Sequence, residues 1–296
     1  MKVVVGASTF AEAGDAALRL LEEKGIEVIK NPYRRKMTED EIIKHLQGAD
    51  GLLAGLEPIN EKVLTLAPDL KAVARIGIGM DSVDMEACVR HGVKVSNTPD
   101  APTDAVAEMT ISALLSINRR IVSCNRDLHH GEWKKQLGVS MRGQRILVIG
   151  YGRIGKKVTA LLRMLGADVL IYDPFQPDVS TESIEETLRT VDVITLHAAG
   201  KETILTRERL EECKPGCVIL NCARGTLIDE TALYEKLQSG TIAWFWGDVF
   251  PEEPYKGKLI ECENAVLTPH IASNTRECRL AMELEASENI IRDLGL

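Results

Sequence analysis

Three segments place cation, acid and imidazole chemistry directly after β-branched runs: Asn221-Cys222-Ala223-Arg224-Gly225, Gly247-Asp248-Val249-Phe250-Pro251-Glu252-Glu253-Pro254 and Thr268-Pro269-His270-Ile271. Open α/β sheets bind ligands at the carboxyl ends of their strands, so these segments are expected to converge on one crevice. A guanidinium at Arg224 can grip a carboxylate through a two-pronged hydrogen bond and polarise a carbonyl oxygen beside it. An imidazole at His270 can give or take a proton near neutral pH. A carboxylate from Glu252 or Glu253 would favour the charged imidazole and fix the ring. Such a set suits the exchange of 2-hydroxy and 2-oxo acids, where hydride reaches carbon while oxygen gains a proton. Singly, each residue has a plainer reading as a surface ion pair, a capped turn or a solvated acidic loop. Their joint placement at three strand ends is what favours chemistry.

The strongest local signal lies upstream, in Arg145-Ile146-Leu147-Val148-Ile149-Gly150-Tyr151-Gly152-Arg153-Ile154-Gly155. A strand runs into G-x-G-x-x-G and then a helix. Gly150 suits the tight turn, Gly152 lets backbone approach a pyrophosphate, and Gly155 lets helix and strand pack. The helix start at Arg153 and Ile154 presents N–H groups to the anion. Val169-Leu170-Ile171-Tyr172 then ends at Asp173, where an acceptor for the adenosine ribose hydroxyls is expected. A carboxylate there repels a 2′-phosphate, and Pro174-Phe175-Gln176 offers no arginine to receive one, so the cofactor expected is NAD.

The elements that must position these groups alternate along the chain. Five short strands are read at Val3–Val5, Ile26–Ile29, Leu52–Leu53, Ala72–Ala74 and Val93–Val95, with six more at Ile146–Ile149, Val169–Tyr172, Val193–Leu196, Val218–Leu220, Ala243–Val249 and Val266–Leu267. Amphipathic stretches separate them, one opened by Thr38 and Glu41 at capping-box spacing. Alternation of this kind predicts an α/β protein of two doubly wound parallel-sheet, Rossmann-like domains. An apolar-periodic stretch from about Asp104 to Leu128 reads as one long interdomain helix, and Arg276 to Leu294 as a helix packing back on the first domain. A cleft between the two halves is expected.

Composition removes other classes. A formal charge of −8 over 296 residues gives no basic field for a nucleic acid backbone. Seven cysteines without C-x-x-C pairs suggest neither disulfides nor a metal site, and Cys222 reads as a packing residue. No signal peptide is visible, and no apolar run approaches the ~20 residues that cross a bilayer, so a cytoplasmic location is expected and a membrane partner is not. His45, His91, His129 and His130 read as surface residues. His197, after a strand, is expected near the cofactor without a role in proton transfer.

The three strand-end segments, together with Arg75-Ile76-Gly77-Ile78-Gly79-Met80-Asp81 and Asn97-Thr98-Pro99, resemble the D-isomer-specific 2-hydroxyacid dehydrogenases over nearly the whole chain. Phosphoglycerate dehydrogenases are nearest in pattern. The resemblance implies a substrate domain, flavodoxin-like, at 1–97 and 273–296, with an NAD-binding domain at 98–272 inserted in it. It selects Glu253 over Glu252, five residues beyond Asp248. It sets Asp248 and the backbone of Cys222 and Ala223 near the nicotinamide, and the amides of Ile78 and Gly79, with Arg75, on the substrate carboxylate or phosphate. It implies a homodimer formed through the second domain and its long helix.

Departures narrow that picture. Phosphoglycerate-oxidising relatives carry an arginine near the end of the third strand, where this chain reads Gly51-Leu52-Leu53-Ala54-Gly55-Leu56-Glu57. That weighs against a phosphate, although fold and cofactor do not choose among 3-phosphoglycerate, hydroxypyruvate and glyoxylate as candidate substrates. The chain ends without the regulatory domain of the long members, so a short form is expected. His197-Ala198-Ala199-Gly200 replaces a commoner His-x-Pro, and Trp244-Phe245-Trp246 is bulkier than usual. An NAD-responsive scaffold like the corepressor relatives is the alternative from another class.

Overall fold

A computed structural model describes residues 1–181 and 183–296. It divides into two compact units, Met1–Pro102 with Ser273–Leu296, and Thr103–Ala272. The first border therefore falls at Pro102, five residues beyond the 97/98 division expected from sequence, because the segment after the fifth strand stays with the first unit.

The first unit carries β1 (Lys2–Val5), α1 (Ala16–Glu23), β2 (Glu27–Ile29), α2 (Glu39–His45), β3 (Gly51–Ala54), α3 (Glu61–Thr65), β4 (Ala72–Arg75), α4 (Met85–Arg90) and β5 (Lys94–Asn97). Its sheet runs β2-β1-β3-β4-β5, with every pairing parallel. β3 and β4 are buried at every position, as parallel strands covered on both faces must be. Val4, Leu52 and Val73 point into a core shared with Ile42, Leu46 and Val63 from the helices of one face. The Thr38 and Glu41 capping box forms at α2. At the end of that helix His45, read as a surface residue, is half-buried, with Nε2 3.1 Å from the Val5 carbonyl oxygen.

The second unit carries α5 (Pro102–Asn118), α6 (Ile121–His129), β6 (Arg145–Ile149), α7 (Arg153–Met164), β7 (Asp168–Tyr172), α8 (Ile184–Leu188), β8 (Val193–Leu196), α9 (Arg207–Glu211), β9 (Cys217–Asn221), α10 (Glu230–Gln238), β10 (Ile242–Gly247) and β11 (Ala265–Leu267). α11 (Arg276–Leu294) returns to the first unit and packs on α1, β3, β4 and β5. The single long helix expected over 104–128 is two helices. Arg120 takes a left-handed backbone (φ 58°) at the start of α6, which no helix can continue through, and its guanidinium lies over the Trp244 ring.

The second sheet is parallel in the order β11-β10-β9-β8-β6-β7. Alternation along its strands feeds two cores. Leu147, Ile149, Ile194, Leu196, Ile219 and Phe245 pack to one side, and Ile146, Val148, Val193, Val218, Leu220 and Trp246 to the other. The order reverses at β6, which lies between β7 and β8, and a crevice is expected at the carboxyl ends there. Among the described residues no helix is long and apolar enough to cross a membrane.

Candidate active site

The turn after β6 shows why three glycines stand there. Gly150 has φ 92°, and a Cβ on it would come within 2.5 Å of the Ala198 backbone nitrogen beyond β8. A Cβ on Gly155 would overlap the Gly150 carbonyl. Gly152 differs: its Cβ would meet nothing within 4 Å. That open space faces the start of α7, where Gly152 is the N-cap, Arg153 and Ile154 begin the helix, and the N-cap has no side chain to cap the first N–H groups. An uncapped amino end beside a side-chain-free turn fits a pyrophosphate.

Asp173, just past β7, is 8% exposed. Its Oδ2 accepts the Tyr151 N–H of the glycine turn at 2.8 Å, and Oδ1 accepts the Phe175 N–H at 2.9 Å. Oδ2 also accepts from Gln176 Nε2 at 3.4 Å, while Oδ1 keeps a second lone pair, so the carboxylate can brace the turn and still accept from a ribose hydroxyl. Gln176 closes over it, Nε2 donating to the Tyr151 carbonyl at 2.7 Å.

His197 follows β8 and touches two neighbours: Nε2 lies 2.9 Å from Thr195 Oγ1, and Nδ1 3.7 Å from Cys222 Sγ. Burial pushes its imidazole down to about 3, so it is neutral at physiological pH and no proton donor there. Burial also pushes the Cys222 thiol up to about 12, which makes it a packing group and not a nucleophile.

Arg224, Glu253 and His270 stand on the loops after β9, β10 and β11. Asn221, fully buried at the end of β9, clamps the first loop: Nδ2 donates to the Arg224 carbonyl at 2.8 Å and Oδ1 accepts the Ala223 N–H at 3.0 Å. Gly225 allows close approach, since a Cβ there would overlap the Phe250–Pro251 backbone of the next loop. In that loop Glu253 Oε1 accepts the Phe250 N–H at 3.1 Å, while Oε2 sits 2.9 Å from His270 Nδ1. Glu252, the alternative carboxylate, is exposed.

His270 itself has φ 55°, a left-handed conformation uncommon for a residue with a Cβ, and its N–H donates to the Thr268 carbonyl at 3.0 Å. The strain is held by Asp248. This carboxylate, expected near the nicotinamide, is fully buried and accepts from Thr268 Oγ1 at 2.6 Å, the Ile271 N–H at 2.9 Å and the Ala272 N–H at 2.8 Å. The Trp246 indole N–H reaches Thr268 Oγ1 at 3.1 Å. Asp248 is thus the anchor of the His270 loop, a role that sequence reasoning missed along with Asn221; a buried polar residue at a strand end is the signal for both.

The hydrogen bond to Glu253 raises the His270 pKa most, with the charges of Glu253 and Asp248 adding to it; burial and the nearby Arg224 oppose the rise. Arg224, Glu253 and His270 therefore share one electrostatic environment. It holds a proton on imidazole, with a guanidinium alongside that can neutralise a carboxylate.

Arg75, Ile78 and Gly79 belong to the first unit. Arg75 ends β4 and is 9% exposed, with its guanidinium folded beneath Gly77. The loop it opens is pinned by Thr98 Oγ1, which accepts the Gly77 N–H at 2.8 Å, and by Asn97 Nδ2, which donates to the Ile78 carbonyl at 2.9 Å. A cavity of about 440 Å³ lies far from this chemistry, at the amino ends of β6, β8 and β9, lined among others by Arg120, Arg142, Gln144 and Trp244.

Residues 111–272 match the family model described as D-isomer specific 2-hydroxyacid dehydrogenase, NAD binding domain. The D-3-phosphoglycerate dehydrogenase of Methanocaldococcus jannaschii is 36% identical over 291 residues, which are 93% of this chain and 54% of that protein. The hydroxypyruvate reductase of Thermotoga maritima is 31% identical over 295 residues, 93% of this chain and 96% of that one. The chain spans about half the length of the phosphoglycerate dehydrogenases it matches. Among solved structures, the TT0316 protein from Thermus thermophilus superposes with a TM-score of 0.89 at 33% identity, covering 99% of this chain and 97% of that one.

Proposed function

Because the chain belongs to the family of D-isomer-specific 2-hydroxyacid dehydrogenases, we propose that it transfers a hydride between NAD and a small D-2-hydroxy acid or the matching 2-oxo acid. The observation that carries this reading is the Glu253–His270 contact of 2.9 Å, in the electrostatic reach of Arg224 and on the same sheet as the glycine turn.

NAD, when bound, takes up or supplies the hydride. The residues that would hold it are Gly150, Gly152 and Gly155 with the amides of Arg153 and Ile154 at the pyrophosphate, Asp173 at the ribose, and the segments of His197, Cys222 and Ala223 nearer the reacting end. Asp173 favours NAD over its 2′-phosphorylated form by charge. Arg224 binds the substrate carboxylate in fork geometry and polarises the neighbouring carbonyl oxygen. His270, kept protonated by Glu253, gives its proton to that oxygen during reduction and takes it back during oxidation. Glu253 fixes the ring, so that Nδ1 faces the carboxylate and Nε2 is left for the substrate. Backbone amides of Ile78 and Gly79, with Arg75, are the expected contributions of the first unit to substrate binding.

Candidate substrates are 3-phosphoglycerate, hydroxypyruvate and glyoxylate. A homodimer through the second unit belongs to the same proposal. Trp133 and Leu137 are 82% and 94% exposed after α6, and Ile121 and Leu128 on that helix are exposed too, an apolar surface of the kind subunits cover. So does a cytoplasmic location. Turnover is tested by presenting these acids with NAD or NADH and following nicotinamide absorbance. Steady turnover of at least one acid is expected; none, with NADH binding intact, overturns the enzyme reading.

A further inference from the structure

The sheet of the first unit has a reversal of its own. Its order β2-β1-β3-β4-β5 changes direction between β1 and β3, and sheets of this order meet ligands at the carboxyl ends of those two strands. Those ends are Gly6-Ala7 and Gly55-Leu56-Glu57. The Glu57 side chain turns back onto that point. It is fully buried at 0% exposure, and Oε1 accepts the Gly55 N–H at 2.9 Å. A Cβ on Gly6 would overlap the carboxylate, and one on Gly55 would come within 2.9 Å of Oε2. Glu57 thus occupies the cradle that two residues without side chains leave open.

Oε2 is sealed from solvent and has no hydrogen-bond partner among the described residues. A purely structural loop acid has little reason to be built this way, since a buried carboxylate oxygen without a donor is destabilising and a glutamine would bridge the same loop at less desolvation. Burial raises the Glu57 carboxyl, opposed by the loop amides and by the charge of Arg75. When ionised, Glu57 offsets the Arg75 charge; when protonated, it still fills the cradle. From Gly51 to Glu57 the chain has no Lys or Arg.

We propose that Glu57 is a specificity-determining residue that sets this edge of the first unit against phosphate, by filling the space a phosphate would take and by opposing the Arg75 guanidinium. The substrates are then short unphosphorylated 2-oxo acids, hydroxypyruvate and glyoxylate, and the phosphorylated analogue of hydroxypyruvate is rejected. The inference rests on the dehydrogenase reading above and narrows its substrate class.

The test compares kcat/KM for hydroxypyruvate, glyoxylate and 3-phosphohydroxypyruvate with NADH, in the full chain and in two variants. The unmodified chain should favour hydroxypyruvate over its phosphorylated form by about 100-fold, the scale on which a misfitting charged group is rejected. Glu57→Gln keeps the shape and removes the charge, and Glu57→Ser opens the cradle; at least one should move that ratio about tenfold toward the phosphorylated acid. Faster turnover of the phosphorylated acid by the unmodified chain overturns this inference and leaves the dehydrogenase reading standing. So does an unmoved ratio in both variants when their melting curves show them folded. The preference of the unmodified chain decides the matter if neither variant folds. No turnover of any acid while NADH still binds overturns the dehydrogenase reading, and the inference with it.

Discussion

Replacing Asp248 with asparagine isolates the anchor from the chemistry it serves. The carboxylate accepts three hydrogen bonds in a fully buried position: from Thr268 Oγ1 and the Ile271 N–H on Oδ1, and from the Ala272 N–H on Oδ2. An asparagine oxygen can keep the first two, but its NH₂ then faces the Ala272 N–H, donor against donor. One charge-assisted hydrogen bond is lost and one buried amide is left without an acceptor, together about 2–4 kcal/mol. For a unit the size of residues 103–272, that predicts a Tm lower by roughly 5–15 °C. The His270 loop can instead release the strain locally. His270 then leaves its left-handed backbone and its place beside Glu253, and a displacement of about 1 Å at a reacting group lowers kcat on the order of 100-fold. Thermal melts by circular dichroism and kcat at saturating NADH are the assays. The kcat reached well below the alkaline limb separates the two causes: loss of the Asp248 charge by itself lowers the His270 pKa and moves the limb, but an imidazole still in place recovers full kcat once protonated, whereas a displaced one does not. Unchanged Tm and unchanged kcat together would refute the anchoring role.

Two further perturbations bear on the same site. Glu253 raises the His270 pKa, so the protonated imidazole persists to higher pH than an ordinary one, and carbonyl reduction falls as pH climbs through that raised value. Glu253→Gln should bring the fall to lower pH in a kcat/KM profile, and a superimposable profile would contradict the pairing. Gly152→Val adds a side chain where the protein itself has nothing within 4 Å, so the fold should melt normally while NADH affinity measured by fluorescence titration drops at least about tenfold. Unaltered affinity would show that the glycine turn is not the pyrophosphate site.

Much of the fold is legible in the residues because parallel strands covered on both faces are short, mostly apolar runs buried throughout, and β3, β4, β8 and β9 are all of that kind. The glycine turn is legible for the same reason of local necessity: Gly150 and Gly155 answer to contacts within the turn or at the next strand end, and Gly152 keeps open the space before the helix. The break between α5 and α6 is not, since apolar periodicity continues on both sides of Arg119-Arg120 without glycine or proline to mark it. Residue chemistry could not choose between Glu252 and Glu253, which differ only in which way the loop turns them. The structure has Glu253 against His270 and Glu252 exposed. The anchoring role of Asp248 is harder still to read. Its partners Ile271 and Ala272 lie 23 and 24 residues away, and a charged residue at a strand terminus reads as ligand-facing until its burial is known. Glu57 was visible only as the absence of a basic residue; its position between Gly6 and Gly55 depends on the strand order of the sheet.

The proposed reaction has Arg224, Glu253 and His270 reducing a 2-oxo acid with NADH. Its most direct test is the rate of NADH consumption with hydroxypyruvate for the unmodified chain beside His270→Gln, both at saturating NADH and with NADH affinity measured in parallel. Steady consumption by the unmodified chain is expected, with a loss of about 100-fold or more in kcat for the variant, the scale of general acid catalysis, and affinity for NADH unchanged. A variant that consumes NADH as fast as the unmodified chain would contradict it.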